Sequence, residues 1–288
     1  MRRGMLIGLA VLTMLAVATA GHAQMLTGTL KKVSDSGILT LGYRENVPPM
    51  SATGADGKPV GYSIDLCQEI AVAVQQELKR ANLAVRWVPV TPDNRVDAVA
   101  NGTVDIECGV TTATLGRQQK VDFTLMTFID GATIMVVEGA GIGGVADLAG
   151  KRIAVVTGTT TTKVLADFLR EQSIAATVVS VRDHDEGLAA LDASKVDAYV
   201  SDRAILIGLA MRVRGTKRLA LLPDSLSYEP YGFMVRRDDS AFRLVANSAL
   251  ARLYRSGAIG TIYAKWFGAF GRPSPALILM YAIQGLPE

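Results

Sequence analysis

Apolar residues recur along this chain in two rhythms. Short continuous runs over 38–42, 85–90, 103–106, 132–137, 152–156, 176–181 and 196–200 read as buried strands. Between them lie stretches with helical spacing. Ile64, Cys67, Ile70, Ala71, Val74 and Leu78 mark one helix, with Ser63 placed to cap it. Pro92 opens another, which carries Asn94, Arg95, Val96 and Val99 and stops at Asn101-Gly102. Helices are also expected over 114–120, 163–172, 186–193, 203–213, 241–256 and 259–267, the last two closing the chain. Segments 123–130 and 231–235 read as extended. Strands that alternate with helices in this way predict an α/β fold with parallel sheets.

The pattern also repeats. Residues 98–106 parallel 189–198: in each, a helix ends and a buried strand opens on Val-Asp, Val104-Asp105 in one and Val196-Asp197 in the other. Two similar lobes follow, the second inserted into the first. Residues 24–128 and 231–288 form lobe 1, and 129–230 form lobe 2. Hinges are expected near 128–131 and 231–233. A cleft between hinged lobes is a natural place to bury a small ligand. Gly139, Gly141 and Gly144 fit the dinucleotide spacing G-x-G-x-x-G, but Gly150 follows too soon for a full helix, so 139–144 reads as a connector.

Composition narrows the class. Met1-Arg2-Arg3, the apolar run 5–17 and the small residues 18–23 have the form of a secretory signal peptide, with cleavage expected after Ala23. No later stretch has the unbroken apolar length of a membrane span, so a soluble exported protein is expected, an uncleaved anchor being the alternative. Losing Arg2 and Arg3 takes the formal charge from +3 to +1, which gives no reason to expect nucleic acid as a partner. Cys67 and Cys108 are the two cysteines. An even pair in an exported chain favours a disulfide, two buried free thiols being the alternative. No metal site and no cofactor are expected, because the two cysteines and two histidines supply too few soft ligands.

The candidate chemistry centres on 107–117. Thr111 and Thr112 stand where a strand ends and a helix begins, with Arg117 close behind. Hydroxyls, free backbone N–H groups and an arginine at such an edge suit a carboxylate. Thr159–Thr162 at a later helix start forms a cap and an anion nest. Asp202 follows a buried strand, where a carboxylate needs a partner. His184 lies between Asp183 and Asp185, which would raise its pKa and favour the imidazolium. Taken alone, Arg44, Arg95 and His184 read as surface charges.

The segments Gly42-Tyr43-Arg44-Glu45, Gly61-Tyr62-Ser63-Ile64-Asp65, Asn94-Arg95, Asn101-Gly102-Thr103-Val104-Asp105, Glu107-Cys108-Gly109, Thr111-Thr112 with Arg117-Gln118, Asp183-His184 and Tyr231-Gly232 together resemble the bacterial extracellular solute-binding proteins of family 3. Within that family the chain is most similar to the periplasmic glutamate/aspartate binders of ABC transporters. The resemblance runs from about residue 30 to residue 267. It implies a two-lobed type II periplasmic-binding fold, no catalysis, a monomer, and a membrane permease as partner. It also assigns roles. Arg117, Thr112, Thr160 and Thr161, with Thr111 beside them, would hold the α-carboxylate. Asp202 would take the α-ammonium, and Arg44, Arg95 and His184 the side-chain carboxylate. The chain departs from the family pattern at Pro92 and Val110, where serines are usual, and at Met50 and Ala52, where aromatic residues often line the cleft. A periplasmic enzyme on the same fold, such as a cyclohexadienyl-type dehydratase, is the rival reading.

Overall fold

The computed structural model describes residues 25–212 and 218–287; the expected signal peptide over 1–23 lies outside the described residues. Helix α1 (Gly28–Ser36) precedes β1 (Ile38–Tyr43), and β2 (Asn46–Val47), β3 (Ser51–Thr53) and β4 (Pro59–Val60) form a small sheet. Next come α2 (Tyr62–Glu77), β5 (Ala84–Pro89), α3 (Arg95–Ala100), β6 (Ile106–Glu107), α4 (Leu115–Gln118) and β7 (Val121–Asp130). A second series holds β8 (Ala132–Val137), β9 (Arg152–Val156), α5 (Thr160–Glu171), β10 (Thr177–Val181), α6 (His184–Asp192), β11 (Ala198–Asp202), α7 (Arg203–Arg212) and β12 (Leu219–Leu221). Strand β13 (Glu229–Arg236) returns, and α8 (Ser240–Ser256), α9 (Ile259–Phe267) and α10 (Pro275–Gln284) follow.

Two five-stranded sheets result, ordered β5-β1-β6-β13-β7 and β10-β9-β11-β8-β12. In the first, β1 runs parallel to β5 and β6, and β13 is antiparallel to β6 and β7. In the second, β9 runs parallel to β10 and β11, and β8 is antiparallel to β11 and β12. Residues that build the first sheet flank those that build the second, which is the two-lobed type II arrangement with one lobe inserted into the other. Strands β1 and β11 are buried on both faces, as parallel strands covered by helices must be. Helix α8 turns Phe242, Ala246, Ala249, Leu250 and Leu253 inward at helical spacing and ends at Gly257, whose φ of 77° is the left-handed conformation that stops a helix.

The repeat seen in the sequence has a common physical basis. Asp105 Oδ2 accepts from Thr40 N at 2.9 Å while Asp105 N donates to Thr40 O at 2.8 Å. Asp197 does the same one lobe away: Oδ2 accepts from Arg152 N at 2.8 Å, and its N–H donates to Arg152 O at 2.8 Å. Each aspartate therefore closes the entry of the neighbouring parallel strand. The strands themselves begin one residue later than the Val-Asp pairs, at Ile106 and Ala198.

Other expectations are corrected or met. Ser63 does not cap α2; Gly61 occupies the cap position, and the Ser63 hydroxyl donates to Gly109 O at 2.8 Å, tying the helix to the threonine loop. The apolar stretch near the C-terminus is the further helix α10, started by Pro275 and by Ser274, whose hydroxyl accepts from Leu277 N at 3.2 Å. Residues 139–144 form a connector, as expected, and lead into one 3-10 turn at Val145–Leu148. Tyr231–Phe233 is extended as expected, within β13, which pairs with β7. The two passages touch: a Cβ on Gly131 would lie 2.5 Å from Ser227 O.

Candidate functional site

Both sheets present the C-terminal ends of their parallel strands to one cleft. From the first lobe, Arg44 follows β1, Arg95 opens α3, the loop after β6 carries Val110 and Thr112, and α4 carries Arg117. From the second, Thr159, Thr160 and Thr161 start α5 after β9, His184 starts α6 after β10, and Ser201 and Asp202 end β11. These side chains, with Ile205, line one cavity. All the predicted site residues but Thr111 reach it. The Thr111 hydroxyl instead donates to Glu107 Oε2 at 2.9 Å behind the wall. Met50 is fully buried in the first lobe's core and Ala52 lies on β3; neither lines the cavity.

The lobes are shut on each other. The cavity holds about 20 Å3, on the scale of a single water molecule, so an amino acid enters only when the lobes part. Two glycines permit this closeness. A Cβ on Gly208 of α7 would stand 2.1 Å from Pro48 O of the first lobe, and one on Gly158 would stand 2.4 Å from Asp93 Oδ1. Gly208→Val is therefore expected to hold the lobes apart. Ligand affinity should fall at least about tenfold, because closure is what completes the site, while the midpoint of chemical denaturation of the ligand-free protein stays within error. Titration calorimetry and urea unfolding measure the two.

The cationic face consists of three arginines. Arg95 is 2 % exposed, and its Nε and Nη1 have no hydrogen-bond partner; Nη2 donates to Gly158 O at 3.3 Å. Burial, with Arg44 repelling it, pulls this guanidinium down to about 9. Arg44 is 3 % exposed, and its pKa is lowered by burial. Arg117 Nη1 donates to Thr112 O at 2.8 Å. Thr114 caps the short helix α4, its hydroxyl accepting from Arg117 N at 3.2 Å. The predicted sign at His184 is reversed. Burial, then Arg44 and Arg95, push its pKa down to about 3, so the ring is neutral. Of the flanking aspartates, Asp183 accepts from Glu186 N and Asp185 from Arg212, and neither pairs with the ring. Its Nδ1 lies 2.6 Å from Tyr199 OH.

The opposite face is acidic. Asp202 Oδ2 accepts from Tyr231 OH, and Thr161 Oγ1 donates to Oδ1 at 3.5 Å. Glu229 Oε2 accepts from Thr112 at 2.5 Å and from Thr160 at 2.9 Å, one residue from each lobe. Burial, reinforced by Asp130 and Glu229, lifts the Asp202 carboxyl to about 8. Asp130, whose carboxylate accepts from Gly131 N and Ala204 N, is lifted by desolvation to about 6. Glu229, Asp130 and Tyr199 were not read as site residues. Nothing local marks them: Glu229 reaches Thr112 only through a sheet pairing across 117 positions.

The chain belongs to the bacterial extracellular solute-binding proteins of family 3, whose model matches residues 39–269. It is 38 % identical over 246 residues to the L-glutamate/L-aspartate-binding protein of Pseudomonas aeruginosa, covering 85 % of this chain and 82 % of that one. It is 31 % identical to the glutamate/aspartate import solute-binding protein of Escherichia coli, covering 83 % of this chain and 79 % of that one. Among solved structures, an ancestral amino-acid-binding protein described as a precursor of cyclohexadienyl dehydratase superposes with a TM-score of 0.71 at 26 % identity, covering 84 % of this chain and all of the other.

Proposed function

We propose that the chain is the periplasmic substrate-binding component of an amino-acid ABC transporter, and that its cleft takes glutamate or aspartate and hands it to a membrane permease. One observation carries the ligand class: a guanidinium with two unpartnered nitrogens, Arg95, buried beside a second, Arg44. Two desolvated cations side by side are costly unless an anion joins them. A side-chain carboxylate there, with the neutral His184 ring as neighbour, would meet that need. Arg117, Thr112 and the N-terminus of α5 at Thr160 and Thr161 would hold the α-carboxylate. Asp202 would receive the α-ammonium. Such a ligand bridges both lobes only when they are closed, so its binding energy drives closure. The names of the P. aeruginosa and E. coli relatives agree with this ligand class.

A thermal-shift panel of the natural amino acids tests the reading. Glutamate and aspartate should raise the melting temperature in proportion to RT ln(1 + [L]/Kd). Stabilisation by arginine or leucine, with none by the acids, would contradict it.

Asp202 adds a pH signature. In the folded, ligand-free protein this carboxyl keeps its proton to about pH 8, whereas the unfolded chain releases it near pH 4. The folded state thus binds the extra proton, and its stabilising contribution is present at low pH and lost as pH rises toward 8. From pH 6.5 to 8 the titration of His184 is common to both proteins, so ligand-free wild type should lose stability faster than Asp202→Asn. Parallel urea midpoints over that window would show that Asp202 is ionised throughout.

A further inference from the structure

His184 is the first residue of α6, and Tyr199 stands on β11 behind it. Tyr199 OH lies 2.6 Å from His184 Nδ1, and both side chains are buried. The phenol passes against α6 at Gly187, one turn after His184: a Cβ there would stand 2.7 Å from Tyr199 Cε2 and 2.8 Å from Cζ. Glycine at 187 therefore leaves the room that the ring needs to reach the histidine. Burial pushes the phenol pKa up, so Tyr199 keeps its proton; a hydrogen bond from Ser201, two residues along β11 on the same face, pulls it back down, as a donor to the phenol oxygen does. The phenol's own proton is then left for Nδ1. Among the described residues nothing bonds His184 Nε2, and His184 lines the cavity whereas Tyr199 does not.

We propose that Tyr199 fixes which nitrogen of His184 carries the proton, and thereby makes the side-chain subsite one that only donates hydrogen bonds. The phenol donates to Nδ1, so the neutral ring carries its proton on Nε2, the nitrogen left for the ligand. Arg44 and Arg95 offer donors and no acceptor. With Nε2–H beside them, all three side chains call for an acceptor. A carboxylate offers nothing else, whereas an amide brings an NH2 group that would face donors. The other tautomer would put a bare Nε2 there, an acceptor able to take that NH2 group. Tyr199 is thus a positioning residue that acts through His184 and does not touch the ligand. The proposal rests on the reading of the cleft as a site for an acidic amino acid.

His22 and His184 are the two histidines of the chain, so nitrogen-15 NMR of histidine-labelled protein holds two imidazoles, and the one lost in His184→Asn is assigned to His184. In the ligand-free wild type at pH 7, Nδ1 should be bare and Nε2 protonated. Tyr199→Phe should move the Nδ1 resonance further downfield, as a bare ring nitrogen moves when its donor is removed. Glutamate should shift the Nε2–H resonance and leave Nδ1 bare. A role for Tyr199 in packing alone would require neither shift. Calorimetry reads the consequence for selection: the glutamate-to-glutamine affinity ratio should fall about three- to tenfold in Tyr199→Phe, the worth of one hydrogen bond. A proton on Nδ1 in the wild type, with or without glutamate, overturns the proposal, as does an Nδ1 resonance or an affinity ratio that Tyr199→Phe leaves unchanged. Should Tyr199→Phe not fold, the wild-type spectra still decide. Failure of the wild type to bind glutamate would instead overturn the acidic-ligand reading, while the ligand-free spectrum would still report the tautomer.

Discussion

Replacing Arg95 with methionine should weaken glutamate binding by at least about a hundredfold while making the ligand-free protein more stable. The two effects have opposite signs for one reason. With no ligand anion, Arg95 is a buried cation whose Nε and Nη1 bond to nothing and which faces a second buried cation, Arg44. An apolar side chain of similar length fills the same space without the desolvation cost, and such replacements of buried charge are often stabilising. Once a carboxylate is present, Arg95 offers charge-assisted hydrogen bonds that methionine cannot. Losing one partner of a buried charged contact costs about 2–5 kcal/mol, or roughly 30-fold to several thousand-fold in affinity. Calorimetry reads the first effect and thermal unfolding without ligand reads the second. A variant that lost stability as well as affinity would mean that Arg95 is a structural residue.

Cutting the covalent link between α2 and the threonine loop should have the largest effect on stability. Cys67 and Cys108 are joined by a disulfide that closes a loop across 41 positions, with Cα atoms 6.1 Å apart. The unfolded chain gains the entropy of that loop when the bond is absent, about 4 kcal/mol for this length. The double variant Cys67→Ala, Cys108→Ala should therefore unfold at a much lower urea concentration, with a slope equal to or steeper than the wild type's because its unfolded chain is less compact. The wild type under reducing conditions should behave likewise. Affinity should fall too, though less. Cys108 lies at the start of the loop that carries Thr111 and Thr112, and the Ser63 hydroxyl bond to Gly109 O would still tie this loop to α2. Equal urea midpoints for oxidised and reduced protein would refute the stability claim.

Much of the fold was legible because central strands such as β1, β9 and β11 are buried on both faces and appear as unbroken apolar runs, whereas β5 and β10, expected to be buried, are largely exposed edge strands. The repeated Val-Asp was legible for a stricter reason: Asp105 and Asp197 must each satisfy a strand entry, and that job leaves a fixed spacing in the chain. Helix α10 was missed because its exposed side is as apolar as its packed side, so no helical period shows; Leu277, Met280 and Tyr281 are buried and Ile278, Leu279 and Ile283 exposed. The candidate site was legible through motif order and spacing more than through any single residue. Arg44, Arg95 and His184 look like surface charges until their burial is known. The sign at His184 was misread for the same reason. Neighbours in sequence, Asp183 and Asp185, point elsewhere, and neighbours in space, Arg44 and Arg95, set the charge. Asp130 and Glu229 do not line the cavity and leave no local mark in the sequence.

Calorimetric titration of refolded, ligand-stripped protein with glutamate, aspartate, glutamine and asparagine tests the assignment most directly. Acid and amide differ by little in shape and by one full charge, so the comparison isolates what Arg44 and Arg95 do. The expected result is tight binding of one or both acids and binding of the amides weaker by at least about a hundredfold. Equal binding of acids and amides, or no binding of either acid, would mean that the paired buried arginines serve something other than a side-chain carboxylate.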